Sequence, residues 1–212
     1  MSSPALRIVV ALFALFFLVG ARCVFIATSG SQDDEEQEEG SGLVVLVGEG
    51  RLVDGPVEGV GYASGSLSGV TGSDGEFQYE EGSTIRFSIG DILLGQEVKA
   101  RNLMTPLDLV PGASLDSPAV INIARLLQSL DAVRGDGKIT IPDAVRNAAV
   151  TTNEALGFAI QSLDYADNPT FVNAASQLVA TLTQAYGFTA VLVDADTARR
   201  HLLESLASPG SL

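Results

Sequence analysis

Hydrophobic and polar positions alternate in the first half of the chain with the two-residue period of β-strands. In EFQYE (76–80), Phe77 and Tyr79 alternate with polar neighbours, and TIRFSI (84–89) repeats the same alternation. A period of two places one face of a strand against a core and the other face in water. Both segments are therefore predicted to be half-buried strands.

Further strand-like segments lie close by, separated by glycine-rich and aspartate-rich turns. They are GLVVLV (42–47), PVEGVGYAS (56–64) and DILLG (91–95), and 14 of the 22 glycines fall between Gly40 and Gly95. Short strands at such spacing are typical of a small antiparallel β-sandwich.

One stretch of this half, TGSDGEFQYEEGSTI (71–85), concentrates carboxylates. Asp74-Gly75 is a dipeptide that favours a tight turn before a strand. If Phe77 and Tyr79 face the core, Glu76 and its neighbours on alternate positions face water. The carboxylates are then spread over two turns and one wet face, so the pattern favours a hairpin over a cation site.

After residue 105 the hydrophobic period becomes helical, and three helix starts are indicated. Ser117 precedes Pro118, Asn168 precedes Pro169, and Asp194 can cap a last helix. A hydroxyl, amide or carboxylate side chain at the N-cap and a proline in the first turn favour helix initiation. The residues expected on the inward faces are Ile123, Leu126, Leu127 and Leu130, then Phe171, Val172, Ala175, Leu178, Val179 and Leu182, and finally Ala198, Leu202 and Leu206.

These patterns predict an α+β protein, in which a small antiparallel β-sandwich is followed by a helical region packed on or beside it. The predicted divisions are a signal peptide or membrane anchor at 1–23, an acidic tether at 24–42, a β-sandwich domain at 43–104 and a helical domain at 105–208.

The N-terminus has the layout of a secretory signal. A short segment with Arg7 precedes the apolar stretch 8–19, and Gly20 and Ala21 follow it. A positive n-region, an apolar h-region and small residues at a processing site define such signals. With Arg7 inside the cell and the acidic run outside, the body is expected to be extracytoplasmic.

Three fates of this segment remain open. The first is cleavage after Ala21, which would release a secreted protein, and the second is an uncleaved anchor over 8–27. The third is acylation of Cys23, because the segment resembles a bacterial lipoprotein signal in position and length. Arg22 departs from the small residue expected before such a cysteine. We favour Cys23 as the lipid attachment site of a protein of the bacterial cell envelope, on the periplasmic side of a membrane.

The net charge of −14 narrows the class of partner. Acidic residues are concentrated in TSGSQDDEEQEEGSG (28–42), a segment with no apolar residue to bury. Its like charges repel and extend the chain, which favours a solvated tether over a cation-collecting site. No nucleic-acid partner is expected, because nucleic acids require a cationic surface.

Few residues are suited to catalysis. His201 and Cys23 are the only residues of their types, and no zinc motif, nucleophile elbow or phosphate-binding loop occurs in the sequence. His201 is interpreted as a surface or cap histidine, although a Ser–His pair formed across the fold stays open. A hydrolase acting through carboxylates or metal remains an alternative function.

Calcium is the one cofactor with a candidate loop. A twelve-residue calcium loop beginning at Ala132 would place Asp136 at its fifth position and Asp143 at its twelfth. Ala132 and Arg134 then occupy the first and third positions, where oxygen ligands are required. Asp131 lies nearby and could contribute to a non-standard loop. The candidate metal ligands are therefore Asp131, Asp136 and Asp143, and no other cofactor is expected.

Residues 50–95 resemble the carboxypeptidase regulatory-like and collagen-adhesin B-type sandwich repeats. The elements that carry the resemblance are V-E-G-V at 57–60 and the hairpin at 71–79. The continuation, at 105–113, 122–131 and 198–206, looks like a recurrent module of exported proteins and lipoproteins in Gram-negative bacteria. The resemblance implies the sandwich fold and leaves the activity open.

Together these features predict an exported, membrane-tethered, non-enzymatic module for adhesion, scaffolding or ligand contact. Its expected partners are the membrane, through the N-terminal segment or a lipid, and an envelope protein or polysaccharide. A calcium-stabilised structural module is the third hypothesis.

Overall fold

The computed structural model describes residues 45–156, 163–184 and 189–207. Within these residues it contains nine strands and four helices, and all strands except one precede the helices. The α+β class is therefore confirmed. The strands are β1 (Val47–Leu52), β2 (Val57–Glu58), β3 (Gly61–Ser64), β4 (Leu67–Val70), β5 (Glu76–Glu80), β6 (Thr84–Ile89), β7 (Ile92–Lys99), β8 (Leu103–Met104) and β9 (Ile139–Thr140). The helices are α1 (Pro118–Ser129), α2 (Asp143–Leu156), α3 (Asn168–Gln184) and α4 (Ala195–Ala207).

The described strands form one antiparallel sheet and two groups that include parallel pairs. The four-stranded antiparallel sheet has the order β4-β3-β6-β7. In the three-stranded sheet β5-β1-β8, β1 is antiparallel to β5 and parallel to β8. The pair β2–β9 is parallel and connects the strand-rich half to the segment between α1 and α2. This arrangement is compatible with a sandwich, but the parallel pairs were not expected from the alternation pattern.

The first strand differs from its predicted position. The sequence predicts a strand at 42–47, partly outside the described residues, whereas β1 runs through the polar segment VGEGRL. Its glycines explain the difference, because Gly48 lies opposite Tyr79 and Gly50 lies opposite Phe77. A Cβ atom at either glycine would come within 2.4 Å of the opposing ring. The absent side chains are therefore what allows the two rings to lie across β1.

The tight turn and the half-buried strand predicted at residues 74–80 form, but they do not make a hairpin. Strand β5 pairs with β1, whereas β4 and β6, its neighbours along the chain, belong to the other sheet. Phe77 is 2% exposed and Tyr79 is half-buried, whereas Glu76 and Gln78 are exposed on the opposite face. Asp74 forms an ion pair with Lys138 at 2.7 Å. The carboxylates of this stretch do not converge on one point, and the Asp74-Gly75 turn connects strands of two different sheets instead of closing a hairpin.

The side chains predicted at the helix starts do not all act as caps. Asp194 caps α4, since its Oδ1 accepts a hydrogen bond from the Thr197 amide at 2.9 Å. Ser117 occupies the N-cap position of α1, but its hydroxyl accepts a hydrogen bond from the Ser114 amide instead of capping the helix. The predicted inward residues of α1, α3 and α4 are buried or half-buried.

Helix α2 was not predicted from the sequence. Its first two turns place Val145 and Ala149 in the core at 0% and 1% exposure, and few other apolar residues mark an inward stripe there. Such a weak stripe gives little periodic signal, and the helix is held by packing against the sheet and α3.

The strand-rich and helical halves contribute to one hydrophobic cluster. It includes Leu52 and Phe87 from the strands and Leu126 and Phe171 from the helices, all 0% exposed. A smaller cluster joins the opposite face of α1 to α4. The division into two domains near residue 104 stays a prediction. No helix among the described residues is long and apolar enough to cross a membrane.

We predict that Gly50→Ala lowers the free energy of unfolding by about 1–3 kcal/mol, because overpacking forces neighbours to move. The new Cβ would lie 2.4 Å from the Phe77 ring and 2.8 Å from the Arg101 carbonyl oxygen. The carbonyl oxygen belongs to the backbone, so it cannot move aside by a change of side-chain rotamer. Chemical denaturation would measure the change. Gly72→Ala is the matched control, since its nearest atoms belong to the flexible Glu76 carboxylate. Equal effects of the two substitutions would contradict the prediction.

Candidate functional site

The most unusual charged group among the described residues is the carboxylate of Asp54, which is 0% exposed. It lies in the tight turn between β1 and β2, where an isolated bridge joins Val53 to Pro56. Gly55 follows at φ 69°, a conformation that glycine adopts without strain. Sequence alone would place this Asp-Gly turn at the surface. In the fold, the helical half covers it.

Two helices supply the hydrogen-bond partners of Asp54. His201 of α4 places Nδ1 at 3.0 Å from Asp54 Oδ1. Gln128 of α1 donates from Nε2 to Asp54 Oδ2 at 2.9 Å, and also to the Ala198 carbonyl at 3.2 Å. Both carboxylate oxygens are therefore satisfied, as burial of a charged group requires.

The next residue is held by the same helix. The Gly55 amide donates to Ser205 Oγ at 2.7 Å, and Ser205 Oγ donates to the His201 carbonyl at 2.9 Å. A Cβ atom on residue 55 would lie 2.8 Å from the Gly137 carbonyl and 3.4 Å from His201 Cε1. The turn thus fits closely between α4 and the loop before β9. We call Asp54, Gly55, Gln128, His201 and Ser205 the turn–helix junction.

The electrostatics of the junction favour a protonated imidazole beside the carboxylate. Burial raises the pKa of Asp54 above its ordinary value, while the hydrogen bonds from His201 and Gln128 oppose this rise. The hydrogen bond to Asp54 raises the pKa of His201, partial burial opposes the rise, and the negative charges of Asp54, Glu204 and Asp131 add to it. Because both pKa values are raised, the junction holds a proton more tightly than the separate groups would.

His201 is therefore not the surface or cap residue that the sequence suggested. Its side chain is 35% exposed and joins Asp54, which lies 147 positions earlier in the chain. No local pattern connects residues so far apart. The one signal that Asp54 carries in the sequence is the tight turn favoured by the dipeptide Asp54-Gly55.

The junction does not assemble the Ser–His pair that the sequence left open. Ser205 Oγ bonds to the carbonyl of His201 and to the Gly55 amide, not to the imidazole. Among the described residues, the hydrogen bond of the imidazole is the one to Asp54. An Asp–His pair can hold and release a proton, but general-base activation of a nucleophile needs a hydroxyl within reach of the ring. The hydrolase alternative stays a prediction.

The three candidate calcium ligands have separate local roles. Asp131, 7% exposed, accepts a hydrogen bond from the Thr140 amide at 3.0 Å and so closes the loop before β9. Asp136 accepts from the amide two residues later, and Asp143 forms an ion pair with Arg146. Over the described ranges, no three His, Cys, Asp or Glu side chains form a group that could hold a metal ion. Calcium binding remains a prediction, and Cys23 lies outside the described residues.

A second feature is an open cleft of about 550 Å³ beside β1 and β5. Its lining combines one guanidinium, two carboxylates, two amides and an aromatic ring: Arg51, Glu49, Glu76, Gln78, Asn102 and Tyr62. The half-buried Tyr62 ring lies against buried Phe77 with centroids 5.9 Å apart. The described residues offer no ion-pair partner to Arg51, although Glu76 is its cross-strand neighbour. We call this feature the β1–β5 cleft.

Two curated proteins are similar to part of the chain. The protein named "Putative lipoprotein AcfD homolog" of Escherichia coli (strain K12) is 35% identical over 108 residues, which cover 48% of this chain and 7% of that protein. "Putative lipoprotein YghJ" of Escherichia coli O78:H11 (strain H10407 / ETEC) is 34% identical over 108 residues, with the same coverage. The similarity thus spans only about 7% of the length of these relatives. No protein-family profile and no solved structure matches the chain.

We predict that Ser205→Ala destabilises the protein by about 1–3 kcal/mol, because the buried Gly55 amide loses its only recorded partner among the described residues. Thermal or chemical unfolding would measure the loss. Thr181→Val is the control, since the half-buried Thr181 donates its hydroxyl to the Gln177 carbonyl on its own helix. A loss no larger for Ser205→Ala than for Thr181→Val would count against the prediction.

Proposed function

We propose that the chain is an exported, lipid-anchored, non-enzymatic module of the bacterial cell envelope. The observation that carries the proposal is the order of its first segments: a signal-like apolar stretch, then Cys23, then the acidic run at 28–42. Both similar proteins are named as lipoproteins, which supports the same anchoring for this chain. In this proposal the acidic run holds the folded body away from the membrane, since like charges extend a chain and anionic lipids repel it.

The strand-rich half is proposed to be a sandwich repeat of the carboxypeptidase regulatory-like or collagen-adhesin B-type kind. A tight turn and the strand β5 form where that resemblance implies a hairpin, although β5 pairs with β1. Strands β3, β4, β6 and β7 form an antiparallel sheet around the same core. These features support the assignment, in which the repeat provides a rigid platform and no catalytic group of its own.

The role proposed for the folded body is ligand contact through the β1–β5 cleft. Arg51 brings a guanidinium whose donors are not used by another described residue, and Gln78 and Asn102 bring exposed amides. Ligand sites combine a few placed polar groups with apolar or aromatic surface, here Tyr62. The partner class is an envelope protein or polysaccharide that offers acceptors to Arg51.

The anchoring has a direct test in a bacterium that processes lipoproteins. A clickable fatty-acid analogue should label the full-length chain, and Cys23→Ser should abolish labelling because the chain has no other cysteine. Mass spectrometry of the mature N-terminus should then find a lipidated Cys23. An intact Met1, or equal labelling of the Cys23→Ser variant, would refute the proposal.

The ligand-contact role is tested separately, by capture from an envelope extract. The full-length chain in detergent should retain a partner, and Arg51→Gln should reduce retention roughly 10- to 100-fold, since charged hydrogen bonds contribute about 1.5–3 kcal/mol. Arg134→Gln is the charge-matched control, because Arg134 is exposed and does not line the cleft. Equal retention by wild type and Arg51→Gln would rule out the cleft as the contact site.

A further inference from the structure

Helix α4 packs on α1 through an apolar cluster separate from the larger one. Its fully buried apolar residues, Ala198 and Leu202, pack with Val120 and Ala124 of α1, and half-buried Leu206 also packs against this cluster. The larger cluster, which holds the sheets and the other helices together, contains no residue of α4. The docking of α4 therefore combines a local apolar contact with polar contacts to the rest of the chain.

The main polar contact is the turn–helix junction. Through His201 and Ser205, α4 bonds both residues of the Asp54-Gly55 turn. The Asp54 carboxylate is fully buried, and its other partner, Gln128, is neutral. Only His201 can compensate its charge there. An uncompensated buried charge is strongly unfavourable, whereas a paired one is tolerated.

The charged groups that act on His201 come from three elements and are all acidic. Asp54 faces it from the turn after β1, Asp131 from the loop after α1, and Glu204 from α4 itself. No cation opposes them among the described groups that act on the imidazole. The docked position of α4 is consequently a negative environment that favours the imidazolium.

We propose that α4 is a pH-sensitive latch: it stays docked while His201 carries a proton and is released as His201 loses that proton. Release uncovers Val120 and Ala124 on α1, which are 0% exposed when α4 is docked. The device lies in the fold itself and is independent of the proposed anchoring and ligand contact. It would couple exposure of an apolar surface on α1 to the pH of the surrounding solution.

The direction of the pH dependence follows from the linkage between proton binding and the docking of α4. The pKa of His201 is raised in the docked state above its ordinary value of 6.5, so the docked state binds the proton more tightly than the released state. The stabilisation of the docked state by this proton is complete below pH 6.5, and it is lost as the pH rises through the raised pKa of His201. The pKa of Asp54 is also raised, which again favours docking at lower pH.

The first test uses the fact that the chain has a single histidine. In the full-length protein, prepared in detergent without a histidine tag and with labelled histidine, NMR titration of the imidazole needs no assignment. The expected pKa lies above 6.5 in the wild type and moves back toward 6.5 in Asp54→Asn, which removes the negative charge. A wild-type pKa at or below 6.5 would overturn the proposal, even if the variant failed to fold.

The second test measures docking by hydrogen exchange of the α4 amides, corrected for intrinsic rates. Each unit by which the measured pKa exceeds 6.5 should appear as about a tenfold rise in the opening equilibrium of α4 as the pH passes from below 6.5 to above that pKa. His201→Gln keeps a donor but cannot titrate, so its α4 opening should keep only the pH dependence that the raised pKa of Asp54 contributes. Arg200→Gln, at an exposed neighbour on α4, should keep the wild-type profile.

The outcomes of this experiment are distinct. A pH-dependent opening that is confined to α4, reduced in His201→Gln and unchanged in Arg200→Gln would support the latch. The same pH dependence in His201→Gln, or a wild-type α4 whose opening does not change with pH, would overturn it. A rise in exchange that involves the strands equally would also overturn it, because that result indicates global unfolding rather than release of α4.

Discussion

The buried carboxylate of Asp54 is the constraint on which the arrangement of the two halves depends. A fully buried charge is tolerated only where both oxygens are bonded and an opposite charge is close, and here Gln128 and His201 meet those needs. To do so, α1 and α4 must both approach the turn between β1 and β2. The strands and the helices are in this way held together by a polar requirement as well as by their shared apolar core.

The second constraint is steric and acts within the sheets. Glycines on β1 leave room for Phe77 and Tyr79 to lie across the strand, and Phe77 in turn packs edge-on against Phe87 with centroids 5.2 Å apart. Because two positions of β1 carry no side chain, its sequence shows little of the hydrophobic alternation that predicts a strand. The same two positions are essential to the packing of Phe77 and Tyr79. The same arrangement leaves Arg51, between these glycines and the turn, facing the open β1–β5 cleft.

The turn–helix junction places the single histidine of the chain beside the buried Asp54, and the acidic groups around the imidazole raise its pKa. The β1–β5 cleft combines charged and polar groups with aromatic surface. The chain as a whole is similar to a small part of two much larger proteins that are named as putative lipoproteins.

Much of the fold could be predicted from periodicity. The sequence predicted the alternation in β5 and β6, the Asp74-Gly75 turn and the starts of α1, α3 and α4. Each of these features depends on residues within a few positions of one another. Helix α2 and strand β1 were missed or misplaced, since their hydrophobic patterns are weak and their formation depends on distant partners.

The sequence by itself determined the class of fold, the Asp74-Gly75 turn with its half-buried strand, and the signal-like start, all of which follow from local pattern and composition. Only the tertiary structure decided the roles of the chemically distinctive residues. It separated the three aspartates of the supposed calcium loop into different contacts, and it brought His201 to Asp54 from 147 positions away. The physical reason is that a pairing between distant residues leaves no periodic trace in the chain, because burial and charge compensation act through space.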